Sequence, residues 1–125
     1  MLFDTDVLIW LFRGHEPAAR LVEGAQECAI SVVTYMELLQ GARTREETKV
    51  IKRFLADFAF STLPLTENIG LRASVYVEEY GLNSGMSMAD ALIAATAVEQ
   101  GLTLCTANRK RYQPIRDLGI KVFRP

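Results

Sequence analysis

The chain reads as an α/β fold with a mainly parallel sheet of four to five short strands, covered on both faces by helices. Two observations predict this. Short apolar runs alternate with longer amphipathic segments along the whole sequence, the pattern of strands buried in a parallel sheet and crossed over by helices. Half of the 125 residues are hydrophobic and 23% are charged, which suits one domain with a sizeable core rather than a disordered chain. No linker, repeat or low-complexity tract interrupts the pattern, so residues 1–125 are expected to form a single domain.

The elements follow in order. Met1–Phe3 is a first strand and Thr5–Arg13 a helix that Gly14 stops. Pro17–Gly24 is a second helix, with Pro17 suited to its first turn. Cys28–Ile30 is a strand, and Ser31 caps a helix that runs through Glu37 to about Ala42. In Thr44–Phe58, Val50, Ile51, Phe54, Leu55 and Phe58 recur at helical spacing. Phe60–Leu63 is a strand ended by Pro64; Thr66 caps a helix through Tyr80 that Gly81 ends. Ser87 precedes a helix over Met88–Gln100, ended by Gly101. Leu102–Thr106 is a strand, Asn108–Tyr112 a turn or short helix, and Lys121–Phe123 a last short strand.

Composition excludes several classes. A net charge of −1 and a pI of about 5.8 give no global attraction to nucleic acid, so any such contact must use local basic patches or metal ions. Cys28 and Cys105 lie in apolar strand-like segments with no zinc-type spacing. They read as buried thiols in a reducing compartment. Asp4 comes too early for a signal peptide, and no apolar run approaches the roughly 18 residues that span a bilayer. A cytoplasmic protein is expected. The single histidine, His15, argues against histidine-based catalysis, and no phosphate-binding glycine loop is present.

Three acids stand out. Asp4, Glu37 and Asp90 interrupt the apolar stretches MLFDTDVLIWLF, SVVTYMELLQGA and GMSMADALIAATA. Carboxylates in such surroundings are costly unless paired or bound to a cation. Each also has a purely structural role open to it. Asp4 and Asp6 can cap the first helix, Ser87-x-x-Asp90 has the form of a capping box, and Glu37 can face solvent beside Gln40 and Gly41. Yet ligands of open α/β sheets bind beyond the carboxyl ends of the strands. Asp4 follows the first strand, Asn108 the fourth, and Glu37 lies two turns into the helix after the second. Asp90 joins them if its helix starts at the same sheet edge. Convergence would raise the carboxylates' pKa values through repulsion, and a divalent cation would relieve it. All-oxygen ligands favour hard ions, Mg²⁺ or Mn²⁺.

The ordered set LFDTDVLIWLF, SVVTYMELLQGA, MSMADALIAATA and LCTANRKRY resembles the motifs of PIN-domain ribonucleases, specifically VapC-type toxins of toxin–antitoxin pairs. The resemblance covers nearly the whole chain. It implies a PIN-like three-layer α/β/α sandwich and cleavage of single-stranded or loop RNA. It further implies that Asp4, Glu37 and Asp90 bind Mg²⁺ or Mn²⁺, with 5′-phosphate and 3′-hydroxyl products. Thr5 matches the family's Asp-Thr pair, and Thr106 and Asn108 its Thr-x-Asn segment; with Asp6 these would orient ligands from behind. Many members carry a fourth acid where this chain has Arg111. That departure weakens the case for a second metal and places Arg109, Lys110 and Arg111 as candidate phosphate contacts.

The resemblance also implies a homodimer and a protein antitoxin that silences the cleavage. Apolar Ile69, Leu71, Val75 and Val77, and the aromatic Phe54, Phe58 and Phe60, are candidate interface residues. The chain could instead be a catalytically weak PIN binding module, given Arg111. A receiver-type signalling domain would need Asp57 as phosphoacceptor with Lys110 in support, and Asp57 falls inside a helical pattern.

Overall fold

The computed structural model describes all 125 residues, Met1–Pro125. Five strands form one sheet: β1 (Leu2–Phe3), β2 (Ala29–Ser31), β3 (Ser61–Leu63), β4 (Leu104–Thr106) and β5 (Ile120–Val122). Six helices connect them: α1 (Thr5–Phe12), α2 (Glu16–Gly24), α3 (Val32–Gln40), α4 (Arg45–Asp57), α5 (Glu67–Ser84) and α6 (Met88–Glu99). A short 3₁₀ turn covers Arg109–Arg111. Every strand pair is parallel. The spatial order is β3-β2-β1-β4-β5.

Strand alternation builds two cores. Leu2, Ala29 and Leu104 face one side, where they pack with α5 and α6 and with Tyr112, Ile115 and Leu118. Phe3, Ile30 and Cys105 face the other, with α1, α2 and α4. The period of two along each strand thus sends successive side chains to opposite helical layers. Helix α3 serves both, burying Val33 on one side and Leu38 on the other. This is the three-layer α/β/α arrangement expected from the alternation, with five strands.

The order of strands locates a crevice. From β1 the chain crosses outward to β2 and β3; it then returns to place β4 on the other side of β1, followed by β5. The direction of winding reverses between β1 and β4, and ligands of open α/β sheets bind at such a point. Helix α6 feeds β4 in a crossover, so its amino end, Ser87 and Asp90, lies above the carboxyl edge of the sheet. The orientation that Asp90 needed is therefore present.

Several boundaries shift. Gly81 does not end α5, which continues to Ser84. A glycine inside a helix costs only about 1 kcal/mol, and packing against α6 offsets that. The stop is Gly85, at φ +65°, the left-handed residue that closes a helix. Cys105 is buried as expected, but Cys28 lies just before β2 and is only half-buried. Phe54 and Phe58 stack on one another at 5.0 Å and Phe12 meets Phe54 edge-on at 5.1 Å. Phe60 meets Phe3. Phe54, Phe58 and Phe60 are half-buried against the core. Ile69 is also buried, whereas Leu71, Val75 and Val77 are exposed. Asp57 ends α4, far from any strand's carboxyl end, which removes the receiver-type reading.

The two glycines separate cleanly by experiment. A Cβ at Gly81 would meet Val77 Cγ1 at an ordinary 3.6 Å, so Gly81→Ala should stabilise the fold by about 0.5–1 kcal/mol. Gly85→Ala should cost about 1 kcal/mol, because alanine resists positive φ. Urea unfolding of both variants checks the opposite signs.

Candidate active site

At the crevice, Asp4 leaves β1 and becomes the N-cap of α1, its Oδ1 accepting from Thr5 N at 2.8 Å. Its backbone N–H is tied across to Cys105 O of β4 at 2.9 Å. The residue is only 1% exposed. Three donors converge on its other oxygen, Oδ2: Thr106 Oγ1 at 2.8 Å, Tyr112 Oη at 3.0 Å and Arg111 Nη2 at 3.2 Å. Burial and the neighbouring Asp6 charge nevertheless push the Asp4 carboxyl up to about 6, against the opposing pull of Thr106, Arg111 and Tyr112. Repulsion was expected to raise it; desolvation is the larger cause.

Asp6 is not the cap. It sits in the first turn of α1, and its Oδ2 accepts from Ala107 N at 3.1 Å, with Thr106 Oγ1, whose proton goes to the nearer Asp4, 3.3 Å away. It therefore clamps α1 to the end of β4. Its Oδ1 is buried without a partner. Asp90 is largely buried, and its backbone N–H caps onto Ser87 Oγ at 3.1 Å. Its carboxylate Oδ1 lies 3.4 Å from Tyr112 Oη.

Arg111 is the unexpected centre of this group. Its guanidinium reaches Asp6 Oδ2 at 3.1 Å, Asp4 Oδ2 at 3.2 Å and Asp90 Oδ1 at 3.5 Å. It also stands 5.7 Å from the centre of the Tyr112 ring. Burial opposes its charge, but the carboxylates prevail and its pKa is raised. Of the three basic residues expected to meet phosphate, only Arg109 and Lys110 are free and exposed. Arg111 is instead turned inward by the negative field of the acids.

Glu37 stands apart. It is exposed on α3, and Thr5 Oγ1 donates to its Oε1 at 2.7 Å while lying 3.0 Å from buried Thr34. Its tie to Asp4 runs through Thr5, the intervening residue. Asn108 is exposed, and its backbone N–H rather than its side chain bonds Thr106 Oγ1 at 3.1 Å. As arranged, no three of these carboxylates close around one point in a manner that could hold a metal. Tyr112, fully buried, and Thr34 were not anticipated. The only signal for Tyr112 was a polar-tipped ring in the Asn108–Tyr112 segment. The largest cavity, about 740 Å³ and lined by Met1, Cys28 and Gln100 among others, opens at the amino ends of the strands. It holds none of these acids.

The family model for the PIN domain matches residues 1–115. This chain belongs to the PIN domain family. It is 40% identical over 112 residues to Ribonuclease VapC10 of Mycobacterium tuberculosis, covering 86% of this chain and 82% of that one. It is 29% identical over 124 residues to Ribonuclease VapC1 of Methanocaldococcus jannaschii, covering 98% and 86%. Among solved structures, a toxin–antitoxin complex from Klebsiella pneumoniae superposes with a TM-score of 0.79 at 31% identity, over 94% of this chain and 93% of that one. VapBC-1 of nontypeable Haemophilus influenzae superposes with a TM-score of 0.81 at 24% identity, over 97% and 96%, a likeness of fold.

In a PIN domain with this arrangement, the raised pKa of Asp4 has a thermodynamic consequence. An acid whose pKa rises on folding, here from 3.8 to about 6, binds its proton more tightly when folded. Its ionisation therefore opposes folding: the penalty is absent below the unfolded value and grows as pH rises through the folded one. Metal-stripped protein should lose about 2 kcal/mol to this residue between about pH 4 and pH 7. Asp4→Asn should remove that part of the slope. Urea unfolding at the two pH values checks it, and parallel pH profiles for the two proteins would exclude it.

Proposed function

We propose that this PIN domain is a ribonuclease toxin of the VapC type, neutralised by a cognate antitoxin. The observation that carries the reading is the buried Asp4, set at the β1–β4 reversal point with Asp90 across from it, in a chain related to named VapC ribonucleases along most of its length. The substrate is RNA, cut in single-stranded or loop regions by hydrolysis with Mg²⁺ or Mn²⁺.

The donor chemistry fits such an ion. Asp4, Asp90, Asp6 and Glu37 offer only hard oxygen atoms, and buried Asp6 Oδ1 lacks any partner. That a cation belongs here is supported by the guanidinium drawn between three of them. Asp4, Glu37 and Asp90 would hold the metal. When bound, it supplies Lewis-acid activation of water and neutralises charge on the phosphate. Thr106 and Tyr112 orient Asp4 Oδ2, and Thr5 orients Glu37. Exposed Arg109 and Lys110 at the rim provide phosphate contacts that position the strand. A catalytically weak binding module is the second reading, favoured by Arg111 in place of an acid.

Asp4→Asn, Glu37→Gln and Asp90→Asn should each lower Mg²⁺-dependent RNA cleavage by about 10²-fold or more with the fold retained, since each removes a ligand charge without changing size. Arg109→Ala with Lys110→Ala should weaken RNA binding and flatten its salt dependence. Gel assays on purified protein and circular dichroism decide. Full cleavage by all three well-folded acid variants would sink the site, and no cleavage by the unaltered protein would favour the binding module.

The same reading places the chain in the cytoplasm as one domain, residues 1–125, that pairs with itself. No helix is long and apolar enough to cross a membrane. Exposed Leu71 and Val75 form a short uncovered apolar strip on α5, and exposed Val77 lies on the other flank of the helix. Light scattering should report twice the 14.0 kDa chain mass. A monomer at micromolar concentration rejects the pairing, and a bound antitoxin that leaves cleavage unchanged rejects the silencing.

A further inference from the structure

We propose that Arg111 is a built-in counter-cation that competes with divalent metal for the carboxylate site, so that the domain binds metal only as the guanidinium swings out. The inference rests on the metal-dependent reading above and adds a regulatory contact to it. The guanidinium bridges Asp4, Asp6 and Asp90 at 3.1–3.5 Å, so these carboxylates already share one cation. Asp4 Oδ2 is already an acceptor from Thr106, Tyr112 and Arg111 at once. A metal approaching that oxygen must displace a donor. Thr106 and Tyr112 are fully buried and cannot leave. The Arg111 side chain is 38% exposed and springs from a single 3₁₀ turn, so it can.

The inward state is held firmly but imperfectly. Three acids attract the guanidinium, yet its Nε is buried with no acceptor, and such a group carries a desolvation cost. The outward state frees that N–H to water and brings Arg111 beside exposed Arg109 and Lys110. There the three cations face incoming RNA phosphate. Phosphate binding thus favours the same outward state that opens the carboxylates to metal, which couples the two ligands through one side chain.

The test measures Mn²⁺ binding by calorimetry on metal-stripped protein without RNA. If the open state is about a tenth of the population, apparent affinity is reduced about tenfold. Arg111→Gln should therefore bind Mn²⁺ about tenfold more tightly than the unaltered protein. Arg111→Lys, which keeps the charge, should stay near it. Equal affinity in the glutamine variant and the unaltered protein overturns the proposal and leaves the metal-dependent reading standing. No binding in either protein overturns both. Should Arg111→Gln fail to fold, ¹⁵N NMR of the unaltered protein decides. Adding Mg²⁺ should move the Arg111 Nε–H resonance and speed its exchange with water; a saturated metal site with that resonance unmoved overturns the proposal.

Discussion

A carboxylate buried where the sheet changes its direction of winding is the constraint on which the rest depends. Asp4 stands between β1 and β4 with 1% of its surface exposed. A lone carboxylate there would be held in its neutral form, since desolvation disfavours the charge. The surroundings answer that cost from four directions: the amino end of α1, the Thr106 hydroxyl on β4, the Tyr112 phenol and the Arg111 guanidinium. They come from three stretches of chain, with Arg111 and Tyr112 adjacent in one turn, so ionised Asp4 is also a knot that joins β1, α1, β4 and the turn after it. Asp6 ties the same elements from the other side, through Ala107 N. The site is built into the seam of the sheet rather than laid upon it.

How far this was legible depended on the kind of signal. Alternating strand and helix segments were readable because burial period and turn residues act locally, and the five strands lie where the apolar runs are. Asp4 and Asp90 were readable because apolar neighbours in sequence do carry both into buried positions. The same reasoning overstated Glu37. Its neighbours Leu38 and Leu39 point to other sides of α3, so an apolar stretch in sequence did not mean burial in space. Gly81 misled because a helix long enough to pack on α6 tolerates it. The direction in which Arg111 points could not be read at all. A basic trio in a loop looks solvated until the fold reveals three acids behind it.

The family relationship and the geometry bear on different questions. Identity of 40% to a named ribonuclease speaks to reaction class, which side-chain contacts alone would leave open. Geometry speaks to what is particular to this chain. Where the family resemblance leads one to expect another carboxylate, this chain places a guanidinium. The change is two units of charge at a point ringed by acids. Arg111 brings one positive charge and fixed donors; a divalent ion brings two charges and accepts only oxygen donors. On the proposed reading, the two solutions to the same repulsion compete for the same carboxylates, Asp4 and Asp90.

Thr106 and Tyr112 bear on that competition. Both are fully buried and both donate to Asp4 Oδ2. A hydroxyl donates one proton. Tyr112 Oη therefore gives its proton to the nearer Asp4, at 3.0 Å, and merely neighbours Asp90, at 3.4 Å. Its pKa is raised by burial and by these two charges, which keeps the phenol protonated and the bond one-directional. Asp4 is thus oriented by neutral donors, while its net charge is balanced by the part-exposed Arg111. Orientation and neutralisation are assigned to different groups. On the proposed reading, that division would let the ligand geometry of the site persist while its counter-ion changes.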